Sequence, residues 1–211
     1  MLVALGVAML LNSKIRGVTV YRALVFLPSL VPIVASAMLW LWLFNAKLGL
    51  INMTLQSLGV TNPPGWLTDV RWSMPALVLM SFWGIGNTVV IYLAGLQDVP
   101  RELYEAAEID GASTIDKVWH VTLPCISPVI FFNLIMAIIG TLQIFAQPFI
   151  LTGGGPARST YFYTMSLYDN AFSYLKMGYA SAMAWVQLLI VLALTALAAW
   201  SSKHWVHYQG K

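Results

Sequence analysis

Six of the eight acidic residues fall between Asp98 and Asp116. Glu102, Glu105 and Glu108 recur every three residues there, so a helix would carry them on one face. Grouped carboxylates serve catalysis or a metal only when bases or further ligands converge on them. Their neighbours are instead Leu103, Ala106 and Ala107, a small smooth surface, followed by Gly111. His204 and His207 lie three apart in a basic tail, two ligands without partners, and read as part of an interfacial tail with Trp205 and Tyr208. Cys125 is the lone cysteine, so it forms no intrachain disulfide and reads as packing at a helix start. Gly153-Gly154-Gly155-Pro156 is no phosphate cradle, because that needs Gly, four residues, then Gly-Lys-Ser/Thr, and no such run occurs. No catalytic residue, metal site or bound cofactor is expected in this chain.

Information resides in spacing instead. Glu105-Ala106-Ala107 is followed by three residues, Gly111, nine residues, Val121, one residue, and Leu123-Pro124. Pro100 can open a helix, because its missing N–H is unbonded at a helix start. Gly111 permits a turn that other residues resist. Ser113 with Asp116 three residues on makes an imperfect capping box for a second short helix. The expected unit is two short helices hinged at glycine. It reads either as a groove-docking element, with the alanine pair allowing close approach, or as a solvated amphipathic loop.

The elements around this unit are apolar. The 211 residues are 59% hydrophobic and 9% charged, against about 25% charged in soluble domains. No Asp, Glu, Lys or Arg lies in Ala23–Ala46, Trp72–Gln97, Val118–Leu151 or Met177–Ser202. A membrane span needs about 20 mainly apolar residues, so spans are predicted at about 22–45, 73–97, 124–151 and 180–202. Met1–Leu11 is half a span and has its charges after the apolar run, unlike a signal peptide. It reads as the inner half of a helix in an N-terminally shortened chain. The fold class is all-α, a polytopic membrane helical bundle of about four full spans plus a partial N-terminal helix, taken as one domain over 1–211.

Charge orients the bundle. With 12–22 on the inside, the inner segments hold seven basic residues: Lys14, Arg16, Arg22, Arg101, Lys117, Lys203 and Lys211. The outer loops hold four: Lys47, Arg71, Arg158 and Lys176. The positive-inside bias then puts segment 98–123 and the C-terminus in the cytoplasm. The formal charge is +3 and no basic run suggests nucleic acid. In the outer loop 46–71, residues 48–59 read as a short interfacial helix, Asn62-Pro63-Pro64-Gly65 as a turn, and Trp66 and Trp72 as aromatic-belt residues.

The spaced segment resembles the Glu-Ala-Ala loop of permease subunits of binding-protein-dependent ABC importers. Arg22-Ala23-Leu24-Val25-Phe26-Leu27-Pro28, Gly49-Leu50-Ile51-Asn52, Leu93-Ala94-Gly95-Leu96-Gln97 and Leu151-Thr152-Gly153-Gly154-Gly155-Pro156 are similar to the carbohydrate-uptake branch. The glycine-rich loop resembles the larger maltose-importer and glycerol-phosphate-importer type of permease. The resemblance implies the type I permease core. It makes Glu105, Ala106, Ala107, Asp110, Gly111, Leu123 and Pro124 the ATPase-coupling residues. It also implies a second permease as heterodimer partner, two ATPase subunits that use ATP and Mg, an extracytoplasmic solute-binding protein, a sugar substrate, and a bacterial or archaeal cytoplasmic membrane.

Polar residues within the spans are few. Ser81, Gly84 and Asn87 repeat every three residues, with Thr88 beside them; Asn133, Ala137, Gly140, Thr141, Ile144 and Gln147 recur at steps of three or four. Such residues either glue helices together or line a path for an uncharged, hydroxyl-rich cargo. Trp83 and Phe145 could pack on a sugar ring, against the alternatives of lipid or core. Counting from the family's anchors implies substrate-path positions Ser81, Gly84, Asn87, Gly140, Thr141 and Ile144. The competing reading is an ion-coupled secondary sugar transporter. Such proteins place acidic or histidine relays inside the membrane, and no acidic residue lies within any predicted span.

Overall fold

A computed structural model describes residues 1–13 and 16–207. Lys14 and Lys211, counted among the inner charges, and Tyr208 of the expected tail lie outside the described residues. In chain order the helices are α1 (Leu2–Asn12), α2 (Val18–Phe26), α3 (Ile33–Leu43), α4 (Leu50–Ser57), α5 (Val70–Ser81), α6 (Gly86–Gln97) and α7 (Arg101–Ile109). There follow α8 (Thr114–Lys117), α9 (Leu123–Cys125), α10 (Ser127–Leu142), α11 (Ala146–Thr152), α12 (Tyr163–Tyr168) and α13 (Met177–Ser202). A 3₁₀ turn at Leu27–Leu30 and π turns at Val118–Thr122 and Asp169–Ser173 complete the regular structure. Among the described residues there is no strand.

Among the described residues only α13 is by itself long and apolar enough to cross a membrane; three further stretches qualify as pairs of helices separated by short breaks. The window 22–45 is interrupted at Val31-Pro32, after which α3 begins. Proline has no N–H to continue a helical ladder and constrains the residue before it. The window 73–97 breaks over Phe82–Ile85, where Phe82 and Trp83 donate to carbonyls only three residues back. Glycines at 84 and 86 make that turn a poor place to hold a helix. The third such pair is Thr114–Cys125 with Ser127–Leu142, bent by 67°; the expected window 124–151 overlaps it only in part and is broken again over Gln143–Phe145. The stripe Ser81, Gly84, Asn87 therefore does not lie on one helix.

The contacts of the chain divide into two units. The first comprises Met1–Pro28, Ile85–Ile139 and Val191–Lys211. Its core joins α1 to α6: Ala4 and Ala8, both fully buried, let the backbones approach, and Leu11, Val89, Tyr92, Leu93, Leu96, Val99 and Ile126 close around them. Gly95 of α6 faces α10 so closely that a Cβ there would stand 2.7 Å from Val129 Cγ2. The tail returns to this unit, with His207 N–H donating to Ser127 Oγ at 2.8 Å and Trp205 edge-on to Phe131.

The second comprises Ser29–Gly84 and Gly140–Ile190. Ala37, Trp40 and Phe44 of the α3 stretch pack with Ala76, Leu77 and Met80 of α5 and Leu151 of α11. The stretch between α3 and α5 is tied by Asn52, which is 1% exposed. The Asn52 amide donates to the carbonyls of Ala46 (3.0 Å) and Pro64 (3.1 Å), and its oxygen accepts from the Trp66 indole at 2.7 Å. Gly153 ends α11 in the left-handed region at φ 57°, the conformation glycine adopts without steric cost.

Candidate functional site

The acidic segment folds as an exposed helical hairpin within the first unit. Pro100 stands just before α7, and Glu102 sits in the first turn, where a negative charge favours the helix dipole. The helix ends in a Schellman turn: Ala112 N–H donates to Ala107 O at 2.9 Å and Gly111 N–H to Glu108 O at 3.1 Å, with Gly111 at φ +79°. Ser113 then opens α8 through a complete capping box with Asp116. Lys117 Nζ reaches back across the turn to Glu108 Oε1 at 2.7 Å. Tyr104 Oη and Thr122 Oγ1 are 2.9 Å apart and join α7 to the π turn. Hydrogen bonding to Lys117, then its charge, holds the Glu108 carboxyl below the usual range. The Ser113 hydroxyl, then the Ser113 backbone, does the same for Asp116.

Glu105, Ala106, Asp110 and Gly111 are exposed on this hairpin, and Ala107 is half-buried. Leu123 and Pro124 are set apart from it: both are half-buried, and Leu123 packs against the core of the first unit. Three apolar side chains that the spacing did not single out stand in the open: Ile109 at 87%, Ile115 at 70% and Trp119 at 64% exposure. All three belong to the otherwise polar hairpin and the π turn that follows it. Ile115 and Trp119 are four apart, a signal that a helical face extending through the π turn would have shown.

A second feature lies in the other unit. A cavity of about 650 Å³ is walled by Ile33, Met74, Leu77, Val78 and Phe162, and by the stretch Gly140–Gln147 apart from Leu142, with Ser81 at its edge. Small-molecule sites span roughly 300–1,000 Å³. Of the positions taken as substrate path, Ser81, Gly140, Thr141 and Ile144 line it; Gly84 is not in its wall, and Asn87 belongs to the other unit. Phe145 lines it, whereas Trp83 packs edge-on to Trp40 with ring centres 5.9 Å apart. Gln143, absent from the expected set, joins Gln147 in the lining. No Asp, Glu, Lys, Arg or His is in the wall, so the polar contacts on offer are neutral hydroxyls and carboxamides. Among the described residues no group of three or more His, Cys, Asp or Glu could hold a metal.

Residues 1–206 match the family model described as the binding-protein-dependent transport system inner membrane component. The probable ABC transporter permease protein YesP of Bacillus subtilis is 39% identical over 99% of this chain and 68% of its own length. The lactose transport system permease protein LacF of Rhizobium radiobacter is 35% identical over 93% of this chain and 67% of its own length. The chain spans between 61 and 68% of the length of these and similar curated relatives. A crystal structure of a bacterial ABC transporter involved in the import of alginate superposes with TM-score 0.87 at 23% identity, over 95% of this chain and 71% of that one, which shows a shared fold. Helical throughout its regular structure and matched almost end to end, this chain is a transport subunit rather than an enzyme and belongs to the family of binding-protein-dependent transport system inner membrane components.

Proposed function

We propose that this chain is one permease subunit of an ATP-driven importer of neutral sugars in a bacterial or archaeal cytoplasmic membrane. It crosses the bilayer in the windows 22–45, 73–97, 124–151 and 180–202, the first three as broken helices, with segment 98–123 on the inner face. A second permease completes the path as a heterodimer. Two ATPase subunits, which use ATP and Mg, engage the hairpin around Glu105, Ala106, Ala107, Asp110 and Gly111, while Leu123 and Pro124 root it in the first unit. An extracytoplasmic solute-binding protein delivers the sugar.

The observation that carries this reading is the hairpin itself. It combines a fixed turn at Gly111, a capping box, an ion pair and three exposed apolar side chains, in a chain without a nucleotide loop. Such a part transmits force and does no chemistry. The neutral cavity supports an uncharged, hydroxyl-bearing cargo, and alternating access then moves the spans around it.

The test is uptake into proteoliposomes made with the complex purified from its host through a tag on this chain. Labelled lactose and trehalose serve as probes, with enclosed ATP and the proton gradient varied separately. Uptake that needs enclosed ATP and ignores a protonophore is expected. Uptake that follows the proton gradient at constant ATP would restore the ion-coupled alternative.

A further inference from the structure

The break between α10 and α11 is where the cavity gains most of its wall, and the sequence at the break does not explain it alone. Gln143, Ile144 and Phe145 are all compatible with a helix. Pro148 supplies half of the reason: in a continuous helix its N–H would have to bond the Ile144 carbonyl, and proline has none and crowds that oxygen. The carbonyls at the break then need donors from outside their own segment, because a part-buried carbonyl left unpaired is costly. Two side chains from elsewhere in the second unit take them. Thr164 Oγ1 of α12 donates to Ile144 O, and Gln187 Nε2 of α13 donates to Leu142 O at 2.8 Å. Gln187 is the one carboxamide in α13, a helix otherwise made of apolar and small residues with Tyr179, Trp185, Trp200 and a few hydroxyls.

We propose that Thr164 and Gln187 are positioning residues. They hold the α10–α11 break open and thereby aim Gln143, Ile144 and Gln147 at the cavity. Neither side chain lines the cavity, so both act through the backbone they bind. Without them the two carbonyls would seek partners within their own segment. The break would then tighten and withdraw Gln143 from the cavity wall. The importance of this device rests on the cavity being part of the cargo path. Its geometry does not, because accessibility at position 143 is readable without any cargo.

The test places Gln143→Cys in a Cys125→Ser background of the complex in nanodiscs and measures the labelling rate by a small neutral maleimide. Thr164→Val keeps the shape and removes the donor; Gln187→Met does the same for the amide. Each is expected to slow labelling roughly three- to tenfold, the worth of one net hydrogen bond. Thr164→Ser, which keeps the hydroxyl, is expected to label as the parent does. Ser57→Cys on the exposed outer helix is expected to label at one rate in all backgrounds. Equal labelling of position 143 in Thr164→Val and Thr164→Ser overturns the proposal. So does a shift of the same size at Ser57→Cys, which would mean general loosening instead of local positioning.

Discussion

Lys117 Nζ lies 2.7 Å from Glu108 Oε1, and the two residues sit on opposite arms of the hairpin that turns at Gly111. The pair is mostly solvated on the Glu108 side, so its worth is small and screened by salt. It does fix the angle between the arms, together with the Ser113–Asp116 box. Glu108 and Asp116 both have carboxyls held below their ordinary values. Their contribution is therefore complete above the unfolded carboxylate range, about pH 4, and is lost as pH falls through the lowered values. Hydrogen exchange across 108–117, corrected for intrinsic rates, should stay flat from neutral pH down to about pH 5 and rise only below about pH 4. Glu108→Gln together with Asp116→Asn should erase that rise. A rise centred near neutral pH would contradict the assignment.

Gly111 turns at φ +79° with open space where a Cβ would go, so substitution there meets backbone strain and no clash. Gly111→Ala should destabilise the hairpin by about 1–2 kcal/mol, read as faster exchange of the Ala112 amide. Gly111→Pro is more severe, because it locks φ near −65° and removes the N–H that bonds Glu108 O. The complex should still assemble in the membrane, yet ATP-driven uptake should fall while ATP hydrolysis persists. Normal uptake by that variant would count against a force-bearing hairpin.

Gly95 of α6 lies tightly against α10, with Val129 in the way of any larger residue. Gly95→Ala should cost about 1–3 kcal/mol of stability through overpacking, measured as a lower midpoint of thermal unfolding in detergent. Val129→Ala in the same chain should recover most of that loss. Failure of the second substitution to compensate would show that the strain goes elsewhere.

Asn52 satisfies three groups at once between α3 and α5. Asn52→Ala should leave the Trp66 indole and two carbonyls unpaired, at about 1–3 kcal/mol for each group kept from water. Trp66→Phe removes one bond and keeps the ring against Phe44 and Trp72, so its effect should be the smaller. Limited proteolysis within 58–69 would rank the two, and the reverse order would refute the hub role of Asn52.

The charge-free windows announced membrane spans, because a bilayer excludes ionised groups wherever the chain goes. The spacing from Glu105 to Pro124 announced a hairpin, because glycine at a helix end and serine before a helix start act within a few residues. Those properties are local, and the hairpin shows its left-handed turn at Gly111 and its Ser113–Asp116 box. The helix breaks were legible only in part: Pro32 and Pro148 are visible in the chain, but the break at Gln143–Phe145 depends on Thr164 and Gln187, 20 and 45 residues away from the carbonyls they bind. The grouping of Ser81 with Gly140, Thr141 and Gln143 around one cavity was likewise set in space. The supposed stripe from Ser81 to Asn87 dissolved because its helix stops at Ser81 and restarts at Gly86. Sequence alone determined which segments must be dry and which must turn, since burial cost and backbone strain act residue by residue. Tertiary structure decided which freed carbonyl met which donor, since that pairing requires helices remote in the chain to lie side by side.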